Sequence, residues 1–212
     1  MMALVDNDIL LKGACYRLLS PLVVNYGVDR VGYLGAARFV LSKKIRRANL
    51  RGDAFVVETE LLDFLAGQDA IETTAEEQAL AAHLEATAQS LPVNLDTGES
   101  QLLAVLVLRA LPRLMTGDKR AIIAIERLLD AVEALADVTG KLTCLERLVK
   151  YAVTKGDAAL IQEAICKEPD VDRTLSICFR CFSPERTIET VVEGLDSYIS
   201  DLRQRAPRTL ST

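Results

Sequence analysis

Short apolar runs alternate with longer amphipathic stretches along this chain, and that alternation predicts its elements. Met2–Val5 is apolar and ends at Asp6, which suits a short buried strand. The stretch DILLKGACYRLL places Ile9, Leu10, Ala14 and Leu18 at helical spacing, with Asp8 available to cap it and Ser20-Pro21 to end it. After PLVVNYG, a loop or short strand, residues 31–48 read as a second helix that finishes in KKIRRANLR. Further helices are predicted over 55–66, ending at Gly67, and over 75–89, where Glu76 and Glu77 occupy a first turn that the helix dipole favours. Pro92–Leu95 links to DTGES, and a helix runs from about Glu99 to Leu111. The RLM segment makes a second short strand ending in TGD, 119–136 another helix, and KLTCL a third strand. Short strands separated by helices predict an α/β fold in three layers, a parallel sheet flanked by helices. From about Glu146 the pattern is helical only, divided by Pro169 and Pro184, and RQRAPRTLST reads as a frayed end. Ile177, Phe179, Phe182, Ile188, Val191, Val192 and Leu195 give this extension more apolar surface than an appendage exposes, so it is expected to pack on the core or to form an oligomer interface.

Composition narrows the picture. Of 212 residues, half are hydrophobic, aromatic residues make up 5% and there is no Trp, which speaks against a base-stacking platform. The apolar runs fall far short of a membrane span, and MMALVDND has no signal-peptide character, so a cytoplasmic protein without a membrane partner is expected. Five scattered cysteines are then expected to be reduced. Cys178 and Cys181 form a CxxC, with Cys144 and Cys166 as conceivable further zinc ligands, but the motif sits among Ile and Phe with no second CxxC or CxxH. Buried small side chains are the favoured reading. A net charge of −5 speaks against a protein that only coats nucleic acid, which is normally basic, but is no obstacle to a nuclease. The lone His83 lies mid-helix and is read as structural.

The acids carry the chemistry. Asp6 and Asp118 each follow a predicted strand, and ligands of an open parallel sheet bind beyond its carboxyl ends. Glu99 starts a helix and shares its buried face with Leu102, Leu103 and Leu106. A carboxylate there is costly unless paired or bound to metal. Asp96 either caps that helix or joins the site. On the 55–66 helix, Glu58 shares a face with Leu61, Leu62 and Leu65, whereas Glu60 has apolar residues four and five positions before it and Leu-Leu directly after.

This order of acids, with GES before an apolar helix and TGDKRA after an apolar strand, resembles the PIN-domain family of metal-dependent nucleases. The resemblance covers residues 1–145 and leaves 146–212 as a helical C-terminal extension. It implies that Asp6, Glu60 (or Glu58), Glu99 and Asp118 hold Mg²⁺ or Mn²⁺, with a metal-activated water cleaving a phosphodiester. Thr116 matches a hydroxyl that orients the last acid, and Asn7 a polar position beside the first. Lys119 and Arg120 are candidates to touch a phosphate. Lys43, Lys44, Arg46 and Arg47 either hold phosphates or end a solvated helix. The implied function is a ribonuclease, with RNA the favoured nucleic acid, in a toxin–antitoxin or defence setting with an inhibitor protein or as a homo-oligomer. The alternative is a catalytically silent PIN-like module that binds RNA or protein. A phosphatase or phosphotransferase fits less well, since DNDIL lacks the Asp-x-Asp-x-Thr/Val pattern and there is no Gly-rich phosphate loop.

Overall fold

Strand alternation sorts the side chains of the sheet onto two faces. The computed structural model describes residues 2–183 and 187–211. Five strands, β1 (Met2–Val5), β2 (Arg30–Leu34), β3 (Asp69–Ile71), β4 (Leu114–Thr116) and β5 (Leu142–Cys144), form one parallel sheet in the order β3-β2-β1-β4-β5. Ala3, Val5 and Met115 point into one apolar cluster, together with Ile9, Leu41, Leu61, Leu148 and Leu195. Leu4, Leu114 and Leu142 point into the other, with Leu84, Leu103, Ile122 and Leu202. Positions buried on both faces are mostly apolar, with Thr116 and Thr143 as hydrogen-bonded exceptions and Arg30 and Asp69 at strand starts, which is why these runs lack a clear inside/outside alternation.

The first face carries α1 (Asn7–Cys15), α2 (Leu19–Val23), α3 (Ala37–Arg47) and α4 (Ala54–Ala66). The second carries α5 (Ala75–Ser90), α6 (Thr97–Leu108) and α7 (Lys119–Leu128). After β5, α8 (Leu145–Lys155), α9 (Ala158–Lys167) and α10 (Arg173–Cys178) return to the first face, where Leu148, Ile161, Ile165 and Leu175 join its cluster. The last helix, α11 (Ile188–Arg205), gives Val191 and Leu195 to the first cluster and Ile199 and Leu202 to the second, so it wraps the β5 edge. The extension therefore shares the cores of the preceding residues. Among the described residues no helix is long and apolar enough to cross a membrane.

Several expectations are corrected. Residues 30–34 form β2, and the helix expected from Val31 begins at Ala37. β3 was not expected, because three residues between helices leave almost no pattern. The helix expected over 119–136 stops at Leu128 and a 3₁₀ segment follows at Glu133–Val138. Asp6, not Asp8, caps α1. The expected frayed end is instead ordered: Leu210 bridges Leu142 in parallel, the Leu142 N–H donates to Thr209 O at 3.0 Å, and the Ser211 N–H donates to Leu142 O at 2.8 Å. This covers a sheet edge whose unpaired groups would otherwise be open to another chain. Cys166 and Cys181 form a disulfide, against the expectation of five reduced thiols, while Cys15, Cys144 and Cys178 are free and buried. Pro184, expected to divide the tail, lies outside the described residues.

Candidate active site

The sheet order reverses at β1: β2 and β3 extend to one side, β4 and β5 to the other. The crevice at such a switch point, beyond the carboxyl ends of the strands, is where open α/β sheets bind ligands. Asp6 follows β1 by one residue and Asp118 follows β4 by two, so both stand on this rim. Each ends its strand by capping the next helix. The Ile9 N–H donates to Asp6 Oδ1 at 2.8 Å, and the Arg120 N–H donates to Asp118 Oδ1 at 2.7 Å. Glu99 arrives from the other layer as the third residue of α6. It forms a capping box with Asp96, the two N–H donations measuring 2.8 and 2.9 Å. The structure brings Asp6, Glu99, Asp118, Asp96 and Asn7 to one cleft of about 720 Å³.

Glu60 and Glu58 do not reach it. Glu60 pairs with Arg17 on the surface, and Glu58 accepts two bonds from Arg46 at 2.6 and 2.7 Å, facing α3. Helix phase explains both: α4 packs Val57, Leu61 and Leu65 inward, and the flanking glutamates meet arginines of α3 and of the turn after α1. The cleft takes other acids instead, namely Asp8, Glu146 and Asp172. Glu146 was legible by the rule that found Asp118, since it lies two residues past a strand end. Asp8 read only as a helix cap, although its pair with Lys12 at 2.6 Å is local, and Asp172 gave no signal because its pair with Lys12 at 2.8 Å links residues distant in the chain.

The expected phosphate contacts divide between two places, with Lys119, Arg120 and Lys44 at the cleft. Lys119 is tied to the buried Glu146 at 2.5 Å and lies over the Tyr198 ring at 4.8 Å. Arg120 clamps Asp118 at 2.8 Å and is otherwise exposed. Lys44 lines the cleft; Lys43, Arg46 and Arg47 line a separate groove on α3. Thr116 is placed as expected beside the acids, but its hydroxyl donates to Asp6 Oδ2 and accepts the Asp118 N–H at 3.2 Å, so it orients Asp6. A Cβ at Gly117 would displace the Asp8 carboxylate from its present position.

Charge is out of balance in the cleft. Seven carboxylates line it against four cationic side chains. Among the described residues three of these cations, Lys12, Lys119 and Arg120, pair with Asp8, Asp172, Glu146 and Asp118, Lys44 makes no ion pair, and none reaches Asp6, Asp96 or Glu99. Burial pushes Asp6 up to about 6, against the lowering effect of the Ile9, Thr116 and Gly117 donors. Burial also pushes Glu99 up to about 8, helped by the charges of Asp96, Asp118 and Asp6. Asp118 is pushed up by burial too, but Arg120 outweighs this and holds it below the ordinary range.

The donor set is hard oxygen throughout, the chemistry that suits Mg²⁺ or Mn²⁺ and not a soft-ligand metal. Among the described residues no three Asp, Glu, His or Cys side chains close into a ready-made cage. The rim carboxylates are turned onto their own helix caps: Asp6 Oδ1 and Asp96 Oδ1 each accept one N–H, whereas Asp6 Oδ2 and Asp118 Oδ1 are already taken up by Thr116 with Gly117 and by Arg120 with Ala121, so a cation would have to displace some of these donors. Compared with protein-family models, with curated proteins and with solved structures, the chain matches none.

Proposed function

We propose that this chain is a PIN-like, Mg²⁺- or Mn²⁺-dependent nuclease with RNA as substrate. One observation carries the reading: Asp6, Glu99 and Asp118 converge from separate elements on the switch-point rim, in a cleft with more carboxylates than cations. Asp6, Glu99 and Asp118 would hold the cation, with Asp96 beside them. Glu146 takes the place expected of Glu60 as a further cleft carboxylate. A bound divalent cation supplies Lewis-acid stabilisation of charge on the phosphodiester oxygens and acidifies water. The chain's own groups prepare the site. Thr116 and the Ile9 N–H fix the Asp6 carboxylate. Arg120 neutralises Asp118 and, being exposed, is free to turn to a phosphate when a cation takes over that role. Lys44 offers a second phosphate contact at the cleft wall.

The test is cleavage of single-stranded RNA with Mn²⁺ by wild type and by Asp118→Asn, in which Asn still caps α7. The expected loss is about two to three decades in rate, the worth of several kcal/mol of transition-state stabilisation. Equal cleavage by both would remove the site from the reading. A second reading, a catalytically silent binding module, is favoured by the Arg120 clamp on Asp118. Absence of cleavage with any divalent cation would support it.

A further inference from the structure

The chain is acidic, yet residues 38–47, RFVLSKKIRR, hold five cations and no acid. They lie on α3, which starts just past the carboxyl end of β2 and so runs back from the rim. One side of α3 faces the acidic cleft through Val40 and Lys44. The adjacent side lines a groove of about 580 Å³ with Arg38, Phe39, Lys43 and Arg47. These spacings, four residues apart, place the two rows side by side on one helix.

The groove's charges are not spoken for by the fold. Its acid, Glu58, is taken up by Arg46. Lys43 and Arg47 make no ion pair with the described residues, so neither is explained as a structural contact. Beside them Phe39 is 67% exposed, with the Arg38 guanidinium 4.7 Å from its ring centre. An exposed aromatic ring among such cations has two complementary surfaces to offer: a π-face for a base and ammonium or guanidinium groups for phosphates. A duplex hides its base faces and would use only the charges.

We infer that α3 is the track for a single-stranded polynucleotide, which stacks a base on Phe39, lays its phosphates on Lys43 and Arg47, and passes Lys44 into the cleft. The inference rests on the nuclease reading for what the strand does there, but the binding itself needs no metal. The acidic cleft would repel a polyanion, and the α3 cations offset that repulsion at the point of approach.

Fluorescence anisotropy with a labelled single-stranded RNA in EDTA tests it, beside DNA of the same sequence and the RNA duplex. Wild type is expected to bind both single strands more tightly than the duplex. The variant Lys43→Glu/Arg47→Glu should weaken binding at least about tenfold and flatten the salt dependence by about 0.7 in log–log slope for each phosphate that is no longer neutralised. Phe39→Ala should weaken it about tenfold and leave the salt slope unchanged. All three side chains are exposed, so the variants should melt like wild type; Lys43→Gln and Arg47→Gln singly serve if the double variant does not fold. No binding by wild type, unchanged binding by both variants, or preference for duplex would overturn the inference. Binding through α3 without cleavage under any divalent cation would uphold it and overturn the nuclease reading. Cleavage with α3 variants that bind as wild type does would do the reverse.

Discussion

Asp6 and Glu126 are each 6% exposed, and burial pushes both towards the neutral form, yet they end on opposite sides of the ordinary carboxylate range. Glu126, on α7, receives the Arg208 guanidinium at 2.6 Å, the Thr209 N–H at 2.9 Å and the Thr209 hydroxyl at 3.0 Å. Arg208 also binds Asp130 at 2.6 Å, and the chain end is thereby locked along β5. These donors outweigh burial and hold Glu126 low. Asp6 has a threonine and two backbone donors but no cation, and is pushed up to about 6. The same contrast separates Glu77, held low by Arg109 at 2.6 Å, from Glu99, pushed up to about 8. Glu126 and Glu77 receive a counter-charge from the chain. Asp118 and Glu146 at the rim receive one too, but Asp6 and Glu99 do not, and that local deficit is what we propose an external cation fills.

Cutting the structural clamp should produce the largest change in stability. Arg208→Ala leaves Glu126 buried without its cation and frees the segment that covers β5, so a clear fall in melting temperature is expected, with Mn²⁺ response intact. An unchanged melting curve would mean the clamp is a surface decoration and the contrast fails on that side.

The pH response sharpens the other side. Glu99 holds its proton in the folded state up to about pH 8, whereas in the unfolded chain it ionises near 4.5. Between those values the folded state binds more protons than the unfolded one, so its contribution to stability is present at low pH and is lost as pH rises towards 8. Asp6 adds a similar loss between about pH 4 and 6. Melting temperatures of the metal-free protein should therefore decline across this window, and Glu99→Gln should flatten the decline. A Glu99→Gln curve parallel to wild type would show that Glu99 is not strained. The smallest effect is expected at Glu60, whose exposed pair with Arg17 lies off the cleft. Glu60→Gln should change stability by less than about 0.5 kcal/mol and leave cleavage intact, and lost cleavage would return that residue to the site.

The rim acids were legible because each marks a change of pattern: Asp6 and Asp118 end apolar strands, and Glu99 opens an apolar helix. Glu146 obeys the same rule but read as the start of a tail. The choice between Glu58 and Glu60 was a question of helix phase, and local apolar neighbours could not show that both phases meet arginines. β2 was hidden because a short apolar run has no period that separates strand from buried helix. The ordered chain end was hidden for a different reason. Its partners, Leu142 and Glu126, lie about 70 to 80 residues earlier, and such contacts leave no local trace.

If the rim acids want a counter-charge from outside the chain, they should bind a divalent cation. Isothermal calorimetry with Mn²⁺ at pH 7, in two buffers of different ionisation enthalpy, tests this most directly on wild type and Asp6→Asn. Saturable binding by wild type, with protons released as Glu99 ionises and strongly weakened in Asp6→Asn, is the predicted result. No binding, or equal binding by the two proteins, would contradict it.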